Sequence, residues 1–260
     1  MTEPMPAGSR LASMKALLPN SLTLFGLCLG LTSVRFTIEG EWKLAVSAIL
    51  LATIIDFFDG FSARLMKSTS ELGAELDSLS DLICFGVAPA ILLYHWTLYE
   101  AGWLGWCVVL LFCGCSALRL ARFNTRSKTP EGPQLATHIF QGVPAPGAAG
   151  LTLAPLYLSF QLEWQTPLAP LVAGTLMVVV SLLMVTTLPT FSLKKISLRK
   201  DNRIEFLFTG LVAISLFVMF PWVVLTLASL IYILTIPMSV IKYSKMHSIP
   251  FPEGEVSESR

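Results

Sequence analysis

Residues 54–90 read IIDFFDGFSARLMKSTSELGAELDSLSDLICFGVAPA, an apolar stretch interrupted by four aspartates, Asp56, Asp59, Asp77 and Asp81. Asp56 and Asp59 are three residues apart and Asp77 and Asp81 four apart, spacings that put each pair on one face of a helix. A short link through Ser68 and Thr69 turns the second helix back beside the first. All four carboxylates therefore fall at one level, near the end of one helix and the start of the next.

The surrounding composition makes that level a membrane boundary. Of 260 residues, 54% are hydrophobic and 13% charged, with a mean hydropathy of +0.69; a soluble domain carries about 25% charged residues. A bilayer-spanning helix needs about 20 mostly apolar residues, and eight segments qualify: 18–36, 42–65, 72–97, 102–124, 143–162, 168–188, 205–220 and 222–241. The fifth contains Pro144, Pro146 and Pro155 and the seventh is short, so these two fit the pattern least well. The expected fold is an all-α polytopic bundle of about eight transmembrane helices. Its membrane domain covers 18–245, after an N-terminal segment 1–17 and before a polar, proline-containing tail 246–260 that reads as disordered. The N-terminus lacks the compact signal-peptide pattern, so the first apolar run is expected to be retained.

Charge orients the bundle. With the N-terminus inside, the eighteen Lys and Arg all fall on the inner side except Arg35 and Lys43. The positive-inside rule then makes both termini cytoplasmic. Trp42, Trp96, Trp103, Trp164 and Trp222 gather near the outer ends, as an aromatic belt would. The four aspartates lie at the cytoplasmic edge. Cys28, Cys84, Cys107, Cys113 and Cys115 all sit in apolar stretches without a CxxC pair, and read as small packing residues.

One aspartate at a helix centre costs about 2.5–3.5 kcal/mol on insertion scales. Four together add mutual repulsion, which Arg64 alone does not neutralise. Hard oxygen ligands match one or two Mg2+ or Mn2+ ions; solvated acids at a polar helix end are the plainer alternative. Gly60, Ala63 and Gly73 are small where the two helices converge, leaving room for a ligand or for close backbone approach. Arg64 suits a phosphate, or equally Asp59 or Glu71.

Written out, Asp56-x2-Asp59-Gly60-x2-Ala63-Arg64-x8-Gly73-x3-Asp77-x3-Asp81 resembles the signature of the CDP-alcohol phosphatidyltransferase family at all eight specified positions. The segments Ser80–Ala90, Ala117–Asn124, Gly142–Pro146 and Pro189–Lys195, with Pro19-Asn20-Ser21-Leu22-Thr23, are similar to its phosphatidylserine synthase branch. That branch more usually has serine where this chain has Cys84. The resemblance implies transfer of the phosphatidyl group from CDP-diacylglycerol to the L-serine hydroxyl, with release of CMP. It also implies Asp56, Asp59, Asp77 and Asp81 as metal ligands, Asp81 doubling as general base. Asp56, Asp59, Gly60, Ala63, Arg64 and Gly73 would then bind the CDP moiety. A homodimer in a bacterial cytoplasmic membrane is expected, with the active site facing the cytoplasm and no nucleic-acid partner.

Arg119 and Arg122, three apart at the inner end of the fourth span, are placed to hold the serine carboxylate or the lipid phosphate. The alternative is that they only mark topology and snorkel to the headgroups. The cluster Lys194, Lys195, Arg199, Lys200 and Arg203 fits topology and anionic-lipid contact better than catalysis; of the histidines only His138 lies where it could matter. Gly26 and Gly30 form a small-xxx-small pair for close helix packing, within or between subunits. Two rivals stay open: the same chemistry on glycerol 3-phosphate, inositol phosphate or choline, and a transporter. The edge position of the acids and the lack of an internal repeat argue against the transporter.

Overall fold

The computed structural model describes residues 7–66, 71–127, 140–141, 143–162, 168–186, 189–190 and 203–247, and within them the side chains of 20–62, 72–125, 143–162, 168–186 and 208–235. Among the described residues ten α-helices follow one another: α1 (Ala7–Ile38), α2 (Trp42–Met66), α3 (Glu71–Asp81), α4 (Ala88–Trp96), α5 (Trp103–Ser127), α6 (Ala145–Thr152), α7 (Ala154–Leu162), α8 (Ala169–Val185), α9 (Arg203–Met219) and α10 (Pro221–His247). The only strands among the described residues are β1 (Phe140–Gln141) and β2 (Pro189–Thr190), a two-residue antiparallel pair. The chain is an all-helical membrane bundle, as its hydropathy pattern requires.

Among the described residues four unbroken stretches are long and apolar enough to cross a bilayer: Asn20–Ile38, Trp42–Ser62, Leu72–Trp96 and Trp103–Thr125. The other four expected spans take different forms. The segment 143–162 is divided at Leu153 into α6 and α7, because Pro155, in the first turn of α7, has no N–H to continue the ladder from the preceding helix. α8 is apolar but only 17 residues long. α9 and α10 meet at a 117° bend where Pro221 opens α10. The first helix also begins earlier than the expected 18, at Ala7.

α3 and α4 form one span joined by a π-helical turn, Leu82–Val87, in which the Ala88 N–H donates to the Ile83 carbonyl. Pro89 follows at once and lacks an N–H, so the regular ladder cannot run through this point. Glycines set the reversals at the far end. Gly40, between α1 and α2, has φ +77°, and Gly102, before α5, has φ +59°; both lie in the left-handed region that a side chain disfavours.

The register follows from contacts that recur at matched intervals. Along α1 and α3, Thr23 meets Ser80 and Gly26 meets Cys84, so these helices are parallel. Along α5, Ser116 lies against Gly86 and Asn124 against Ser78, so α5 runs antiparallel to α3 and α4. α2 is antiparallel to α1, with Asp59 beside Thr23 and Ile55 near Gly26. The core between them contains Val46, Ile49, Phe85, Leu92, Leu93, Val109, Phe112, Leu156, Tyr157 and Met177. Outward-facing residues such as Phe57, Trp103 and Leu171 remain exposed, which a bilayer, unlike water, accommodates without cost.

Candidate active site

Each acid pair occupies one helix face, as its spacing requires. Asp56 and Asp59 project from the C-terminal half of α2, while Asp77 and Asp81 project from α3. Both helices pack on α1, running in opposite directions, and Thr23 lies beside Asp59 of one and Ser80 of the other, which brings the two pairs to one level. Carboxylate oxygens of Asp56, Asp59 and Asp77 lie within 4.8 Å of one another. This all-oxygen, anionic donor set fits a hard divalent cation. Asp81 stands just outside the trio, within hydrogen-bonding reach of Asp56 and close to Asp77. The four expected acids are thus together, with three grouped tightly and Asp81 at their side.

Asp59 is the most enclosed of the four, only 5% exposed. Its Oδ2 accepts a hydrogen bond of 2.9 Å from the Thr23 hydroxyl of α1. Two turns along α1, Gly30 lets the same helix come close to the π turn. A Cβ on Gly30 would sit 2.7 Å from Cys84 Sγ and 3.2 Å from its Cα, and one on Gly26 would stand 3.7 Å from Ser80 Oγ. Cys84 Sγ donates to the Gly26 carbonyl at 3.2 Å, the same short polar link that serine would provide at this position.

The two arginines separate. Gly86 allows α5 to approach the π turn, with Ser116 Oγ only 3.0 Å from where a Cβ would be. One turn further along α5, Arg119 comes to face Asp81. Its buried Nε–H has no hydrogen-bond partner among the described residues. Arg122 is exposed and donates from Nη1 to the Val185 carbonyl at 3.0 Å. This ties α5 to the C-terminal end of α8, where carbonyls lack helical partners. Asn124 Nδ2 donates to Ser78 Oγ at 2.8 Å, holding α5 to α3 beside the acids.

Tyr232 of α10 also interacts electrostatically with Arg119. A lone tyrosine in an apolar helix gives no spacing signal, and only the packing of α10 brings it here. Gly60 and Gly73 lie half-buried on the same two helices. Ala63 and Arg64 continue the last turns of α2, but their side chains, and that of Glu71, fall outside the described residues, as do Ser68, Thr69, His138, Trp164 and Lys194–Lys200. Arg203 opens α9, again without a described side chain. The five cysteines form no disulfide; Cys84 is buried, and Cys28 and Cys107 are exposed on the helix surface.

Comparison with known proteins agrees with this geometry. The family model for CDP-alcohol phosphatidyltransferase matches residues 16–188, a range containing all four aspartates and both arginines. The chain is 35% identical over 237 residues to the CDP-diacylglycerol–serine O-phosphatidyltransferase of Mycobacterium leprae, covering 89% of this chain and 77% of that protein. It is 34% identical over 241 residues to the Mycobacterium tuberculosis (strain H37Rv) protein of the same name, covering 90% and 82%. The Helicobacter pylori (strain 26695) protein, also so named, is 37% identical over 137 residues, covering 53% of this chain and 56% of that one. Matched along most of its length and carrying the acids on two helices gathered by α1, the chain belongs to the CDP-alcohol phosphatidyltransferase family.

Proposed function

We propose that this protein transfers the phosphatidyl group of CDP-diacylglycerol to the hydroxyl of L-serine, forming phosphatidylserine and CMP. The carrying observation is the convergence of Asp56, Asp59 and Asp77 with Asp81 beside them and Arg119 facing Asp81. The names of the relatives that match most of the chain support serine over other acceptors.

Asp56, Asp59 and Asp77 would hold the metal, Mg2+ or Mn2+, as one or two ions; Asp81 is positioned to share in the second. When bound, such ions supply positive charge to the pyrophosphate oxygens and to the departing CMP. The chain's own groups do the rest. Asp81 accepts the proton of the serine hydroxyl as its oxygen attacks the phosphorus bearing diacylglycerol. The new P–O bond forms as the bond from that phosphorus to CMP breaks. A general base within reach of the attacking hydroxyl contributes about 10²- to 10⁴-fold.

Arg119, with a buried donor still free among the described residues, suits the serine carboxylate. Arg122 is engaged with Val185 and acts mainly in holding α8. The CDP moiety would lie along Gly60, Ala63, Arg64 and Gly73. A homodimer, a bacterial cytoplasmic membrane and a cytoplasm-facing site complete the reading, supported by the family resemblance and the charge asymmetry of the sequence.

The test supplies purified protein with CDP-diacylglycerol, metal and one labelled acceptor at a time. Label is expected in lipid, with stoichiometric CMP, from L-serine and not from glycerol 3-phosphate, inositol phosphate or choline. Label entering lipid from one of the others instead would overturn the acceptor. Failure to release CMP with any acceptor would overturn the enzymatic reading.

A further inference from the structure

Hydroxyls in membrane helices ordinarily fold back onto the carbonyl three or four residues earlier. Thr32, Thr37, Ser47, Thr53, Thr152 and Ser181 all do so here. Thr23 reaches a side chain on another helix. Its Oγ1 points across the helix interface and donates to Asp59 Oδ2 at 2.9 Å, and the residue is only 6% exposed.

The backbone behind Thr23 is itself anchored. Ser80 Oγ donates to the Thr23 carbonyl at 3.2 Å, one residue before Asp81. One turn further, Cys84 Sγ donates to the Gly26 carbonyl, and Gly30 admits Cys84 at a distance no side chain would tolerate. α1 is thereby fixed to α3 at three successive turns, with Thr23 at the acid end.

We propose that Thr23 is a positioning residue for the metal site, orienting the Asp59 carboxylate among Asp56 and Asp77 by holding its Oδ2. The inference rests on the metal-binding reading of the acid trio. An ionised carboxylate only accepts, so the threonine proton fixes which oxygen is taken. It also supplies a compensating donor to a buried anion. Partners of this kind, one step behind a metal ligand, typically change metal affinity by about 10- to 100-fold when removed. α1 then serves as more than a membrane anchor.

The experiment titrates purified full-length protein with Mn2+ alone, following free Mn2+ by electron paramagnetic resonance without substrates. Thr23→Val, nearly isosteric but without the donor, is expected to raise the Mn2+ dissociation constant about tenfold. Thr23→Ser, which keeps the hydroxyl, should stay within about threefold of the parent. Thr23→Ala carries the same expectation as Thr23→Val should the valine variant fail to fold. Asp59→Asn provides the control. If the parent binds no Mn2+, or Asp59→Asn binds it as well as the parent, the metal reading falls and this inference with it. If Asp59→Asn loses Mn2+ while the folded Thr23→Val or Thr23→Ala variant matches the parent, the inference alone is overturned. A Thr23→Ser variant as weak as Thr23→Val also overturns it.

Discussion

The two ends of this bundle are built on different principles, although α2, α5 and the span formed by α3 and α4 contribute to both. At the acid end, helices are tied by directed polar contacts: Thr23 to Asp59, Ser80 to the Thr23 carbonyl, Asn124 to Ser78, and Arg122 to the Val185 carbonyl. At the opposite end, Leu92, Leu93, Leu98 and Val109 are buried, and the chain turns on Gly40 and Gly102. Leu98 there lies against Gly105 and Gly174, which have no side chains to hold it away. The difference follows from the solvent. Inside a bilayer a buried polar group must find its partner in the protein, so an end that gathers carboxylates must also gather donors. The opposite end relies mainly on complementary shape, with Gln161 Nε2 tying α7 to α10 through the Trp222 carbonyl and the Thr226 hydroxyl, since lipid offers apolar side chains nearly the same environment as the core.

The contrast breaks most visibly at Asp81. Asp81→Asn keeps the shape and removes the base, so kcat should fall about 10²- to 10⁴-fold while the thermal transition is retained. Turnover close to that of the parent would remove Asp81 from the chemistry. At the other end, Leu92→Ala should lower stability without changing the turnover of the folded fraction. Because the transfer contribution is largely absent in lipid, the cavity contribution dominates, and about 2 kcal/mol is expected, at the low end for such truncations. Denaturation in mixed micelles measures it; an equal loss of kcat per folded molecule would show that the ends are not independent.

Smaller effects sharpen the line within the acid end. Arg119→Lys removes the guanidinium that interacts electrostatically with Asp81 and should raise the serine KM about tenfold, on the order of 1.4 kcal/mol. Arg122→Lys, at a residue engaged with Val185, should change that KM less than about twofold. Kinetics in serine, run side by side, test the pair; equal responses would mean that both arginines touch substrate or neither does. Smallest of all, Phe57→Leu on the outward face of α2, 65% exposed, should shift stability and rate by less than about 0.5 kcal/mol. A larger shift would place a protein surface rather than lipid against that face.

Much of the site is legible along the chain because helical periodicity is local. Spacings of three and four place Asp56 with Asp59 and Asp77 with Asp81 before any tertiary contact is known, and a short link forces the two helices to be neighbours. Arg119 and Arg122 cannot be told apart in this way. Both sit at one helix end, and only the approach of α5 at Gly86 turns Arg119 to Asp81 and leaves Arg122 with α8. Thr23 lies 36 residues from the carboxylate it contacts, and Tyr232 of α10 reaches Arg119 from still further along the chain. Neither partnership leaves a periodic trace.

Composition and charge by themselves determine an all-helical membrane chain, because an unpaired backbone in lipid is prohibitive and runs of about 20 apolar residues satisfy it as helices, not as the alternating strands of a barrel. They also determine that four acids share one level, since rise per residue converts spacing directly into depth. The tertiary structure alone decides which of the segments from 143 onward form full-length helices and which are broken or bent, because prolines disrupt a helix locally but the bend depends on what it packs against. It alone decides that α1 completes the acid site. A glycine lets a helix come close without saying what it will meet, and Thr23 meets Asp59 in the register in which Gly30 admits Cys84 and Ser80 holds the Thr23 carbonyl.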